Sequence, residues 1–209
     1  RQSTRRQQQE LPTYYYHAHF MELLDFVSTH YDHILENSEL GFRADFERLS
    51  FAAQCLYVRL ANRRGRLFKT NTLRYPEITD LGSALRELET AGFVQPASPS
   101  HTEEILGLLT RAQLISALKS LSIPVPSSLK KPEILQLALE HIPPYRLITL
   151  IPLNNIVAQA RYEELRFVLF LFFGQLQDGM SQFAMRDLGL VRALDPEGSY
   201  EPRFADRGE

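Results

Sequence analysis

Six basic side chains, Arg59, Arg63, Arg64, Arg66, Lys69 and Arg74, lie within "LYVRLANRRGRLFKTNTLRY", residues 56–75. The window from Leu49 to Pro76 is 28 residues long and holds no carboxylate. Cations gathered without acids suit the neutralisation of phosphates, which releases condensed counterions. A solvated helix face accounts for scattered charge, and less well for a run of this length. A second acid-free stretch, 105–132, carries Arg111, Lys119, Lys130 and Lys131, with Ser127 and Ser128 just ahead of the lysine pair. Hydroxyls and ammonium groups before a helix N-terminus are the groups a phosphate backbone contact uses. The bland alternative is a solvated basic loop. Neither stretch shows a base-reading pattern, so the expected contact is with backbone and not with sequence. All this sits in a chain of 209 residues whose net charge is -2.

Other chemistry has less support. His17, His19, His30 and His33 lie near Asp32, and such side chains can hold a transition metal. His17 and His19 are two apart, which turns them away from each other on a helix. Surface or half-buried histidines are the expected outcome, with no metal site. Cys55, among Ala52, Ala53 and Leu56, reads as a small buried hydrophobe. A lone cysteine excludes an internal disulfide and a cysteine-rich zinc site, and makes a reducing, intracellular compartment the default. Tyr14, Tyr15 and Tyr16 could stack on bases, but packing against the first helix is the preferred reading. No catalytic residue and no metal ligand is assigned.

The elements that must position these residues follow from periodicity. Hydrophobic content of 44% and charged content of 23% are ordinary for a globular chain. Residues 1–13, with three arginines and four glutamines, are expected to form a flexible arm. Phe20, Leu23, Leu24, Val27, Tyr31 and Ile34 recur at helical spacing, in a region expected to end at Gly41. "DFERLSFAAQCLYVRLANRRG" predicts one amphipathic helix, striped by Leu49, Ala53, Leu56 and Leu60 and stopped by Gly65. "RLFKTNTLRY" suits an extended segment. A further helix is expected from a Thr79 cap, through Leu81, Ala84, Leu85 and Leu88, to Gly92. Helix, strand, helix and apolar "FV" give a small winged-helix-like unit within a helical DNA-binding domain at 14–98.

Residues 103–141 predict two short helices. Thr110 and Gln113 form a capping box, Leu114, Leu118 and Leu121 make the stripe, and Pro124 and Pro126 break the first helix. Pro132 fits the first turn of the second, carried by Ile134, Leu135, Ala138 and Leu139. The segment 145–209 reads as helical through Phe173. Its run "FVLFLFF" (167–173) is far short of the roughly 20 residues that span a bilayer and reads as a buried core helix. The fold class is therefore mainly α. Polar "RQSTRRQQQE" is no signal region, and a chain opening on Arg1 reads as a fragment of a longer one.

The helix–loop–helix resembles a SAP motif. Its elements are "AQLISALKSL", "SIPV", "PSSL", "KK" and "PEILQLAL", with Leu129 where that family usually has glycine. "LYVRL" followed by bases, then Tyr75–Ile78 and Leu85–Phe93 leading into this motif, resembles the Fanconi-associated nuclease family. So does the late "FAMRDLGLVRALDPEGSYEPRFADR", and the resemblance covers roughly residues 14–209. It implies a structure-selective DNA repair nuclease, cutting 5′-flap DNA with Mg2+ or Mn2+ during interstrand-crosslink repair, in the nucleus or a bacterial nucleoid. This chain would supply duplex and branched-DNA binding, through Arg59, Arg63, Arg64, Arg66, Lys69, Arg74, Arg111, Lys119, Ser127, Ser128, Lys130 and Lys131. It would work beside a C-terminal nuclease domain of the same protein, with no membrane involved. The family's Pro-Asp…Glu-x-Lys site is not in this sequence, whose four lysines lack an acid two places earlier. Metal-assisted hydrolysis needs such carboxylates, so catalysis is expected on another segment. The alternative is a helical protein-interaction module whose basic face meets an acidic partner and whose "FVLFLFF" docks a second domain.

Overall fold

The computed structural model describes residues 12–151, 153–174 and 202–208. Residues 1–11 of the arm expected at 1–13, and most of the family-like stretch 183–207, lie outside them. Nine α-helices and three short strands follow in the described residues. Helices α1 (Tyr15–His30), α2 (Asn37–Arg48) and α3 (Phe51–Ala61) come first. Strand β1 (Leu67–Lys69), helix α4 (Leu81–Thr90) and strand β2 (Val94–Pro96) follow. Then come α5 (Thr102–Gly107), α6 (Arg111–Ser120), α7 (Lys131–His141) and α8 (Pro144–Leu150). Strand β3 (Ile156–Gln159) and α9 (Tyr162–Phe173) complete the set.

The predicted apolar stripes are the core. Phe20, Leu23, Leu24, Val27, Tyr31 and Ile34 are all buried, as are Leu49, Ala53, Leu56 and Leu60. Full burial of one such side chain contributes about 1.5–3 kcal/mol. Boundaries differ in several places, one being that α3 ends at Ala61, before the Gly65 expected to stop it. Gly41 ends nothing; it lies inside α2. The single helix expected over 45–65 is two, because the Ser50 hydroxyl accepts the N–H of Ala53 and starts α3 afresh. Glu87 of α4 binds the same serine, its carboxylate taking both the backbone N–H and the hydroxyl at 2.6 Å. The cap of α4 is Asp80, which accepts the N–H of Ser83, and not Thr79. Gly92 does end α4: at φ +75° it lets Phe93 N–H reach Leu88 C=O at 2.8 Å and its own N–H reach Glu89 C=O, the Schellman arrangement.

Strand β3 falls within the segment expected to be helical. It pairs antiparallel with both other strands, giving the order β1-β3-β2. Helix, strand, helix, strand therefore do follow one another from α3 to β2, but β1 and β2 do not pair with each other. The sheet separates two cores. Phe68, Val94 and Val157 face the core of α1–α4 and α9, while Leu67, Ile156 and Ala158 face the core of α5–α8. That split follows from the two-residue period of a strand. The "FVLFLFF" run is covered from within, with Val168, Leu169, Leu171 and Phe172 of α9 buried. Among the described residues no helix is long and apolar enough to cross a membrane.

Residues 202–208 return to the first core. Phe204 stacks on Phe170 at 4.7 Å. The Arg207 guanidinium donates to both oxygens of buried Glu39, each at 3.1 Å, and lies 4.2 Å from the centre of the Phe167 ring. Burial alone would raise the Glu39 carboxyl. The hydrogen bonds from Arg207, the Glu36 backbone N–H and the Ser38 hydroxyl outweigh it and hold the group below the ordinary glutamate range. A carboxyl lowered on folding stabilises fully above its unfolded value, and that stability is lost as pH falls through the lowered folded value. Glu39→Gln is thus expected to cost about 2 kcal/mol at pH 7. Wild type and variant should converge in thermal melts run from pH 7 to pH 3; a constant gap would refute the linkage.

Candidate nucleic-acid interface

The turn 62–66, between α3 and β1, presents the first basic stretch. Asn62 closes α3, and Gly65 at φ +79° bends the chain into β1. Arg63 and Arg64 are exposed in this turn, and Arg63 donates to the Tyr75 hydroxyl at 3.3 Å. Arg74 is exposed and donates to the carbonyls of Asn71 and Leu73. Two others meet acids from outside the acid-free window. Arg66 pairs with Glu104 of α5 at 3.3 Å and lies over the Tyr162 ring.

Arg59 is held between a carboxylate and an aromatic ring. Its Nε donates to Glu77 at 2.7 Å, and its guanidinium lies 3.9 Å from the centre of the Tyr16 ring. Tyr16 donates to the same carboxylate at 3.1 Å, and Tyr14 to the Glu77 backbone carbonyl. Burial pushes the Tyr16 hydroxyl far up, with Cys55 adding to it, and burial also raises the Cys55 thiol. So the tyrosines pack on α1 and its neighbours, as expected, and Arg59 belongs to that packing. Of the histidines, His17 bonds Gln54 at 2.6 Å and His30 bonds the Phe26 carbonyl. No three His, Cys, Asp or Glu side chains converge as a metal site among the described residues.

The second stretch is a helix–loop–helix, α6 and α7, opened by the expected Thr110–Gln113 capping box. The loop between them runs back along α6, so both helices begin at the same end: Arg111 at the start of α6 donates to the carbonyls of Ser127 and Leu129. Lys119 is exposed eight residues further along α6, about 12 Å away. Ser127, Ser128, Lys130 and Lys131 are exposed. Leu129 turns its side chain onto the second core and so does not stand over the loop. The N-terminus of α7 offers little to an anion. Glu133 takes the Lys130 N–H at 2.6 Å, and Pro132 has none to give.

The two stretches meet at the C-terminal end of α5. Lys69 donates to the Leu108 carbonyl at 2.9 Å, and Lys131 to the Gly107 carbonyl at 3.1 Å. The last carbonyls of a helix lack helical partners and draw cations. Adjacent residues are about 3.8 Å apart at Cα, so the two ammonium groups sit within about 10 Å of each other. Each uses one of its three donors there. The gathered set is therefore Lys69, Lys131, Arg111 and the loop 127–130. What periodicity missed is the pair of acids Glu77 and Glu104. Each lies just beyond an acid-free window, and the fold brings it back.

The described residues form a helical domain with a three-stranded sheet, joined to a basic helix–loop–helix. Residues 14–95 match the family described as "FAN1, HTH domain". The Fanconi-associated nuclease 1 homolog of Pseudomonas aeruginosa is 28% identical over 200 residues, which is 92% of this chain and 35% of that protein. Human Fanconi-associated nuclease 1 is 35% identical over 121 residues, 56% of this chain and 12% of that one. A crystal structure of paFAN1 bound to 2nt 5′-flap DNA with a gap superposes with a TM-score of 0.65 at 25% identity, covering 87% of this chain and 34% of that one. A second, with a 1nt flap, gives 0.64 at 26% identity. The chain is similar to Fanconi-associated nucleases along most of its length, with the match to that family's HTH domain at residues 14–95. It spans about a third of the length of the Pseudomonas relative.

The geometry separates structural from exposed cations. Arg59→Ala leaves the nearly buried Glu77 carboxylate without its partner and is expected to cost about 2 kcal/mol. Arg64→Ala should stay within about 0.5 kcal/mol of wild type. Urea midpoints read both, and equal midpoints for the two variants would show that the Arg59 network carries no stability.

Proposed function

We propose that this chain is the DNA-binding portion of a DNA repair nuclease, holding the duplex arm of a branched DNA by its phosphates. The observation that carries it is the convergence of Lys69 and Lys131 on the carbonyls of residues 107 and 108. Two acid-free stretches, far apart in sequence, then serve one surface. Each ammonium group keeps further donors with which to meet a phosphate. The contacts are Arg63, Arg64, Lys69, Arg74, Ser127, Ser128, Lys130 and Lys131. Arg59 and Arg66 have carboxylate partners, and Lys119 lies at the far end of α6. The helix–loop–helix acts as a SAP motif. The relatives' complexes with 5′-flap DNA support a flap junction as the substrate, with crosslink repair as the setting. Hydrolysis, with its Mg2+ or Mn2+, belongs to a nuclease domain beyond these 209 residues, and an intracellular, DNA-containing compartment fits this role.

Titration of labelled 5′-flap DNA and plain duplex at several salt concentrations tests the reading. Affinity should fall steeply with salt, by a slope of about 0.9 per phosphate contact. The pair Lys69→Ala and Lys131→Ala should reduce that slope by about 2 on both DNAs. Binding indifferent to salt, or an unchanged slope in the double variant, would overturn it.

A further inference from the structure

The geometry points to Arg111 as a positioning residue that shapes the 127–130 loop, rather than as a cation that meets DNA itself; this rests on the DNA-binding reading above. Its Nε donates to the Leu129 carbonyl at 3.2 Å, and its Nη2 donates to the carbonyls of Leu129 and Ser127 at 3.0 and 3.1 Å. A guanidinium is a rigid planar fork, and here its prongs bridge two carbonyls of one loop.

The loop has little else to set its shape. Pro124 and Pro126 contribute no N–H. Ser122 turns the chain out of α6 at φ +61°. Within the stretch 126–129 the one backbone hydrogen bond among the described residues is from Leu129 N–H to Pro126 C=O, a long 3.3 Å. The Leu129 side chain anchors inward on the second core. With both carbonyls turned to Arg111, the Ser127 and Ser128 hydroxyls and the Lys130 ammonium are left outward, and all three residues are exposed. Arg111 thus places three candidate phosphate ligands while its Nε and Nη2 donors are turned to carbonyls. A lysine, a point charge on a flexible stem, cannot bridge two carbonyls in this way.

Three chains are compared: wild type, Arg111→Ala and Arg111→Lys. Amide hydrogen exchange at 127–131 is read without DNA, and duplex affinity is read across a salt series. In both variants the loop amides should exchange about tenfold faster and affinity should fall about tenfold, a change near 1.4 kcal/mol. The salt slope should stay at the wild-type value, because no phosphate contact is lost. A slope lowered by about 0.9 with unchanged loop exchange would make Arg111 a direct contact and overturn the inference. Full rescue by lysine would do the same. Faster exchange with wild-type affinity would overturn the positioning role alone. Absence of duplex binding by the wild-type chain would instead sink the DNA reading on which it rests.

Discussion

Strand β3 is the constraint on which the rest of the arrangement depends. Its four residues, Ile156–Gln159, are buried throughout and pair with β1 on one side and β2 on the other. Phe68 opposite Val157 supplies one core, and Leu67 opposite Ala158 supplies the other. Because side chains alternate across a strand, one short segment closes both layers at once. A slip of one residue would exchange the two faces. That closure fixes the edge carrying Lys69 against α5, and α5 against the helix–loop–helix. The distance between the two basic stretches is thus set by a segment that bears no cation.

The helices that were legible have local signals. The stripes of α1 and α3, the Thr110–Gln113 box and the Gly92 stop each depend on residues within a few positions of one another. The Ser50 break was readable in principle as an N-cap, but the apolar period runs through it from Leu49 to Ala53 and concealed it. Strand β3 was not readable. "IVAQ" is short and apolar, and what makes it a strand is pairing with residues that lie 60 to 90 positions earlier. Arg161, which takes left-handed geometry at φ +54° just before α9 and pairs with Asp45, is likewise a tertiary requirement with no local signal.

The electrostatics shows the same division. A stretch free of acids in sequence is not free of them in space. Glu77 and Glu104 fold back on the basic residues and sort them into two kinds. Arg59 and Arg66 become structural or paired, while Arg63, Arg64, Lys69, Lys130 and Lys131 have no carboxylate partner among the described residues. The tyrosines at 14 and 16 belong to this sorting, since their hydroxyls help to hold Glu77 in place. Net charge said nothing about it. What matters for a polyanion is which cations keep donors available on one face.

The chain has only four lysines, which makes the central claim open to direct measurement. Lysine acetylation, read by mass spectrometry along a titration with duplex DNA, reports each ammonium group separately. If the two basic stretches form one face, Lys69, Lys130 and Lys131 become protected together, with a common midpoint, while Lys119 stays reactive. Protection of Lys69 without Lys131, or of Lys131 without Lys69, would contradict the single face.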